Sequence, residues 1–214
     1  MSIFLDHIFI ITEPGAPVAK RLSALGLREG NSNTHPGQGT SNRRFFVDCF
    51  TIELLFVSNP VEAATGAGKR LGILKRSKDR NASPFGIVAR VADSKETPAF
   101  PNWQYFPDYF PSHMCFYVGD NSDKIEEPLC ICMPPSLPIR GGVPDKYANP
   151  DWRLTELKLQ VPVNEISTTL EQFASMENVT IQPGRTHQMT LMFNDGVGRR
   201  SEDLMPELPV IVEW

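Results

Sequence analysis

The chain has 214 residues, 41% of them hydrophobic and 21% charged, a balance that suits a folded soluble chain and not a disordered one. Lysine and arginine number 21 against 25 aspartate and glutamate, and the net charge of −4 excludes a basic field for nucleic acid or an anionic membrane surface. Apolar runs such as Ile8 to Ile11 fall far short of a bilayer span, and Met1 to Asp6 lacks the pattern of a secretory leader, so a cytoplasmic protein is expected.

In chain order, Ile3 to Ile11 reads as a buried strand ended by Pro14 and Gly15. Pro17 to Leu25 has helical spacing, with Val18, Leu22 and Leu25 on one face and Gly26 in the capping position. A turn-rich stretch, Asn31 to Asn42, leads to strands at Arg43 to Asp48 and Thr51 to Val57, joined tightly at Cys49-Phe50. The middle segment predicts a helix at Lys69 to Ser77, a strand at Phe85 to Val91, and apolar runs at Met114 to Val118 and Leu129 to Met133. The last sixty residues repeat the opening order: a strand at Arg153 to Val161, a helix at Asn164 to Ala174, then strands at Val179 to Gln182, Gln188 to Asn194 and Leu208 to Trp214. The expected organisation is a first module over residues 1–58, an inserted segment over 59–150 and a second module over 151–214.

Four cysteines are present. Cys130 and Cys132 flank Ile131 in an apolar run, a spacing that favours packing over a zinc knuckle. The aromatic residues between Phe100 and Phe110 are interleaved with proline and either wall an apolar pocket or cover the sheet in place of a helix. His113 and His187 read as surface residues, with His113 a candidate third metal ligand.

Three stretches together carry a family resemblance. Leu5-Asp6-His7-Ile8, the loop from His35 to Arg43, and Ile52-Glu53-Leu54-Leu55 resemble the glyoxalase-like branch of the vicinal oxygen chelate superfamily (glyoxalase, bleomycin resistance protein and dioxygenase). The closing Met205-Pro206-Glu207-Leu208-Pro209 is similar as well. The resemblance implies an α+β fold: paired βαβββ modules forming a curled mixed sheet around a cleft, here with the inserted middle segment. It also implies a divalent metal (zinc, nickel, manganese or iron) that chelates two adjacent oxygens of a substrate, with His7 and Glu53 as ligands. Glu156 aligns with His7 and is either a third ligand or the general base.

Strand alternation puts His7 and Glu53 in apolar rows, where a carboxylate needs a partner, so the two are metal or substrate contacts or else bond each other. In the loop, Gly37 and Gly39 allow close backbone approach and exposed N–H groups that suit an anion. His35, Gln38, Thr40, Asn42 and Arg43 are the candidate substrate-binding residues. The expected activity is isomerase, lyase or dioxygenase chemistry on a small molecule, by a monomer or homodimer. The alternative is a non-catalytic binding protein of the same fold, like those that confer antibiotic resistance.

Overall fold

The second half of strand β1 (Ile3–Ile11) is apolar on both faces, and there both faces are covered. Ile8 and Ile10 join the core behind the sheet, while Phe9 and Ile11 join a second apolar cluster in front of it. The structure is a computed structural model and describes residues 3–48, 50–92, 97–134 and 145–214. Cys49, which the sequence puts in a tight strand connection, lies outside the described residues.

Helix α1 (Ala19–Ala24) buries Ala19 and Leu22 against the rear core. The glycine-rich stretch that follows is shorter as a loop than expected, because both its ends are strand: β2 (Asn33–His35) pairs antiparallel with β3 (Thr40–Val47). Strand β4 (Phe50–Val57) returns beside β3 and lies parallel to β1, giving the order β2-β3-β4-β1. The predicted helix at Lys69 to Ser77 is split. After α2 (Pro60–Thr65), a 3-10 turn at Ala67–Leu71 and α3 (Ile73–Arg76) are separated by Gly72.

Strand β5 (Phe85–Val91) runs antiparallel to β1 and opens a second group of four. Strands β6 (Asn102–Tyr105), β7 (Phe116–Gly119) and β8 (Leu129–Cys132) complete it in the order β5-β8-β7-β6, with β5 parallel to β8. A two-residue strand, β9 (Ala148–Asn149), adds to β3 and makes the sheet nine-stranded. The fold is thus the expected α+β class with a curled mixed sheet. Its halves, however, are the first module and the middle segment, since β1 and β5 form the seam between two groups of matching strand order.

The last sixty residues form a separate five-stranded sheet, whereas the sequence pattern has them supply the matching module. It comprises β10 (Leu154–Val161), β11 (Val179–Pro183), β12 (Gln188–Phe193), β13 (Ser201–Asp203) and β14 (Val210–Glu213), in the order β11-β10-β12-β14-β13. Its helix α4 (Thr168–Ala174) connects adjacent parallel strands β10 and β11. In the first module, by contrast, the strand after the helix sits at the sheet edge. Leu157, Leu159 and Val161 of β10, with Leu170 and Phe173 of α4, share one core with Ile52, Leu54 and Ile87 of the larger sheet. Each such buried side chain contributes roughly 1.5–3 kcal/mol. The two sheets therefore pack back to back, and the front of the larger one is left to form a site.

A polar contact reinforces that packing. The buried Glu127 carboxylate accepts hydrogen bonds from the Ser167 N–H and hydroxyl at 2.8 and 2.5 Å and from Asn121 at 2.9 Å. Ser167 in turn caps α4 by accepting from the Leu170 N–H. Among the described residues, no helix is long and apolar enough to cross a membrane.

Candidate functional site

The front of the nine-stranded sheet encloses a cavity of about 500 Å³, a volume suited to a small organic ligand. Strand register fixes what faces it. One row crosses the sheet from Arg44 through Glu53 and Phe9 to Gly86 and Leu129. The next row runs Phe46, Thr51, His7, Val88, Ile131 and Val118. Most of the polar groups thus stand on the first half of the sheet, and the second half is apolar apart from Arg90 and Tyr105.

His7 and Glu53 both line the cavity. They do not bond each other. A bulge between Leu5 and His7 sends Leu5 to the rear core and turns Asp6 forward beside His7, which the strict alternation read from the sequence does not foresee. Asp6 Oδ1 lies 2.5 Å from His7 Nδ1, and its other oxygen is paired with Arg90. Burial opposes the Asp6 charge, but the hydrogen bonds and charges of His7 and Arg90 outweigh it and bring the carboxyl down to about 2. An ionised Asp6 only accepts, so the His7 proton sits on Nδ1 and Nε2 is the remaining nitrogen.

Glu53 is half-buried, and among the described residues none donates it a hydrogen bond or forms an ion pair with it. Its charge is felt by Arg44, His35 and Tyr109, all on the same cavity wall. Arg44 is its cross-strand neighbour and is held by the Asn31 carbonyl at 2.8 Å.

His35 and Gln38 also line the cavity. Gln38 Oε1 accepts from the hydroxyls of Tyr109 and Tyr105 at 3.2 and 3.4 Å, and its Nε2 donates to Thr40 Oγ1 at 2.8 Å. Thr40 Oγ1 lies 2.9 Å from His35 Nδ1. With its oxygen accepting from Gln38, the Thr40 hydroxyl is free to donate to His35, which puts the His35 proton on Nε2. Burial lowers the His35 pKa and keeps the ring neutral at pH 7. Burial also pushes Tyr105 up to about 12 and raises Tyr109, so both phenols remain donors.

Other expected site residues lie elsewhere. Thr40 and Asn42 are fully buried and do not line the cavity; Asn42 Oδ1 accepts the Asn33 N–H, while its Nδ2 has no partner. Arg43 is a correction. It alternates away from Arg44 and binds Glu29 through two nitrogens, at 2.6 and 2.5 Å, and the Ala16 carbonyl at 3.0 Å. The glycine loop is no anion cradle. The Gly37 N–H is taken by Glu62 at 2.7 Å, those of Gln38 and Gly39 by the His35 carbonyl, and the left-handed Gly37 leaves no room for a Cβ against Asp108.

Glu156 is a second correction. It lies on β10 of the other sheet, does not line the cavity and is ion-paired with Lys158 at 3.0 Å. His113 is exposed and away from the cavity, and His187 binds the Asn81 carbonyl. Cys130 and Cys132 are buried in the rear core, where burial raises both thiols, Cys132 to about 12.

The donor set does not suit the divalent cation that the resemblance implies. Across the seam the rows that hold His7 and Glu53 continue through Val88, Leu129 and Ile131, which have no donor atoms. The Asp6 contact leaves His7 Nε2 able to ligate, but among the described residues no three histidine, cysteine or acidic side chains form a metal-binding group.

No family model matches the chain, and no curated protein matches it. Its fold is shared with a hypothetical protein from Staphylococcus aureus, at a TM-score of 0.62 and 15% identity, over 99% of this chain and 98% of that one. That likeness spans both sheets. A hypothetical protein from Bacillus halodurans C-125 is less similar, with a TM-score of 0.42 and 18% identity over 62% of this chain and 94% of that one. Methylmalonyl-CoA epimerase in complex with methylmalonyl-CoA and NH4+ gives 0.40 and 15% over the same shares.

Proposed function

We propose that this chain is a glyoxalase-like enzyme of the vicinal oxygen chelate type that moves a proton on a bound carbonyl compound. The observation that carries the reading is the Glu53 carboxylate, which stands in the cavity without a hydrogen-bond partner among the described residues. A half-buried carboxylate left without a protein partner is matched to a ligand proton. The matching strand orders of the two halves, with β1 parallel to β4 and β5 parallel to β8, support the superfamily assignment.

In this reading Glu53 removes a proton from the carbon next to the carbonyl. The electron pair moves onto the carbonyl oxygen, where the neutral His35 Nε2–H donates a hydrogen bond to the developing enolate. Glu53 then returns the proton to the same or a neighbouring atom, so the net reaction is an isomerisation. Tyr105, Tyr109, Gln38 and Thr40 act on His35 by fixing its tautomer.

Solvent exchange tests this without the product having to be identified. Carbonyl compounds that raise the melting temperature are incubated with the protein in D2O, and loss of their α-proton signals is followed by NMR. Enzyme-dependent exchange is expected, with Glu53→Gln slowing it at least about a hundredfold while binding persists. Binders that never exchange would instead assign the chain to the non-catalytic ligand-binding proteins of the same fold.

A further inference from the structure

We infer that the substrate is an uncharged carbonyl compound with an alkyl or aryl body, its reactive end at Glu53 and its body lying across the seam over β8 and β7. The inference rests on the proposed proton-transfer site and adds to it what kind of molecule that site admits.

The first support is the division of the cavity. The Glu53 charge is felt by His35 and Arg44 of the first half of the sheet and by Tyr109 of the loop after β6. Beyond the seam the wall is Val88, Leu129, Ile131 and Phe116, its two polar groups being spent within the protein, Arg90 on Asp6 and the Tyr105 hydroxyl on Gln38, and Leu71 and Ile73 close it from the segment between the halves. A ligand that reached only the polar end would leave this apolar surface wet; one with an apolar body removes it from water.

The second support is charge. Two carboxyl groups and two guanidinium groups line the cavity, and their formal charges cancel: Asp6 and Glu53 against Arg90 and Arg44. Arg90 is paired with Asp6, and Arg44 faces Glu53 across the strand pair. Outside the wall, Glu62 and Asp108 are close enough to raise Tyr105 further. A carboxylate or phosphate on the ligand would meet no surplus positive charge and would lose its hydration without compensation. The glycine loop offers no anion site either, since its N–H groups are used within the protein.

The test is a binding series of linear methyl ketones from butan-2-one to decan-2-one, measured by calorimetry beside ω-carboxylate analogues of equal length. Affinity is expected to rise about two- to fourfold per methylene until the apolar half is filled. Each carboxylate analogue is expected to bind at least about tenfold more weakly than its neutral counterpart. Ile131→Asn should flatten the length dependence, with circular dichroism to confirm that the variant is folded. Should it not fold, the wild-type series decides alone. An affinity independent of length, or tighter binding of the carboxylates, overturns the inference.

The series is read without turnover, so the two readings fail separately. A flat series with intact deuterium exchange removes the substrate class alone. A normal slope with no exchange removes the catalytic role of Glu53 alone.

Discussion

Phe9 occupies the space that a side chain at position 86 would need: a Cβ on Gly86 would lie 2.0 Å from Phe9 Cζ. The two residues are directly paired across β1 and β5, so this contact sits on the seam between the halves of the sheet. It lets the Phe9 ring cover Gly86 and gives the cavity an apolar floor at the seam. Gly86→Ala would relieve the strand of a flexible residue, a gain of roughly 0.5–1 kcal/mol. The clash is the larger effect, and a net loss of about 1–3 kcal/mol is expected in urea denaturation. Adding Phe9→Leu should recover part of it. Additive losses in the double variant would show that the ring does not oppose the new methyl.

The pair of Asp6 with His7 and Arg90 predicts an acid-sensitive contribution to stability. The folded carboxyl titrates near 2 and the unfolded one near 3.8, a difference of about 2 kcal/mol. Because the folded pKa is depressed, this stability is fully present above pH 3.8 and is lost as pH falls through 2. Asp6→Asn should therefore be less stable than wild type by about 2 kcal/mol at neutral pH, and the two should converge near pH 2. Guanidinium melts at intervals from pH 2 to 7 would read this directly. A gap that stays constant across the range would mean that the asparagine is harmful for a reason other than charge.

These two contacts mark where the sequence is legible and where it is not. Strand β5 is readable to its ends because all seven of its residues are buried, and such a run has no other use than a central strand. His7 and Glu53 stand out because polar residues in apolar rows are costly. Asp6 does not, because period-two alternation assigns it to the rear face and only a bulge, which no residue pattern announces, turns it forward. The second half of the sheet is hidden for a different reason. Its strands β6 and β7 are four residues each, and no helix lies between β5 and β6 among the described residues. The last sixty residues look like the better repeat, and their alignment with the opening strand is locally apt: β10 carries a bulge between Leu154 and Glu156 just as β1 does between Leu5 and His7. Side-chain pattern thus identifies strands, while pairing is settled by packing that a linear pattern does not record.

Arg43 and Arg44 are adjacent yet predict opposite outcomes, since neighbouring residues in a strand face opposite ways. Arg43 holds Glu29 and the Ala16 carbonyl, so Arg43→Ala should cost about 1–2 kcal/mol of stability and leave ligand affinity unchanged. Arg44→Ala removes the cation opposite Glu53 and should slow deuterium exchange by on the order of tenfold. Paired denaturation and exchange measurements on both variants check the assignment. Equal effects of the two on exchange would refute the division of roles.

Gln38 is the joint of the network behind His35. Its amide accepts from two tyrosine hydroxyls and donates to Thr40, so one side chain sets the direction of every hydrogen bond between the phenols and the imidazole. Gln38→Leu keeps most of the volume but leaves the Thr40 hydroxyl without its fixed donor and the buried Tyr105 hydroxyl without its acceptor, at about 1–3 kcal/mol. In wild type, nitrogen-15 spectra should show the His35 proton on Nε2; in the variant the two tautomers should mix. The ring should still titrate below 6.5, because that shift comes first from burial and the variant does not expose the ring. As the folded pKa lies below the unfolded one, stability falls as pH drops below 6.5 and continues to fall until the folded ring is protonated. Tautomer mixing with an unchanged pH profile would separate the network's orienting role from burial. A single unaltered tautomer in the variant would show that Gln38 does not set it.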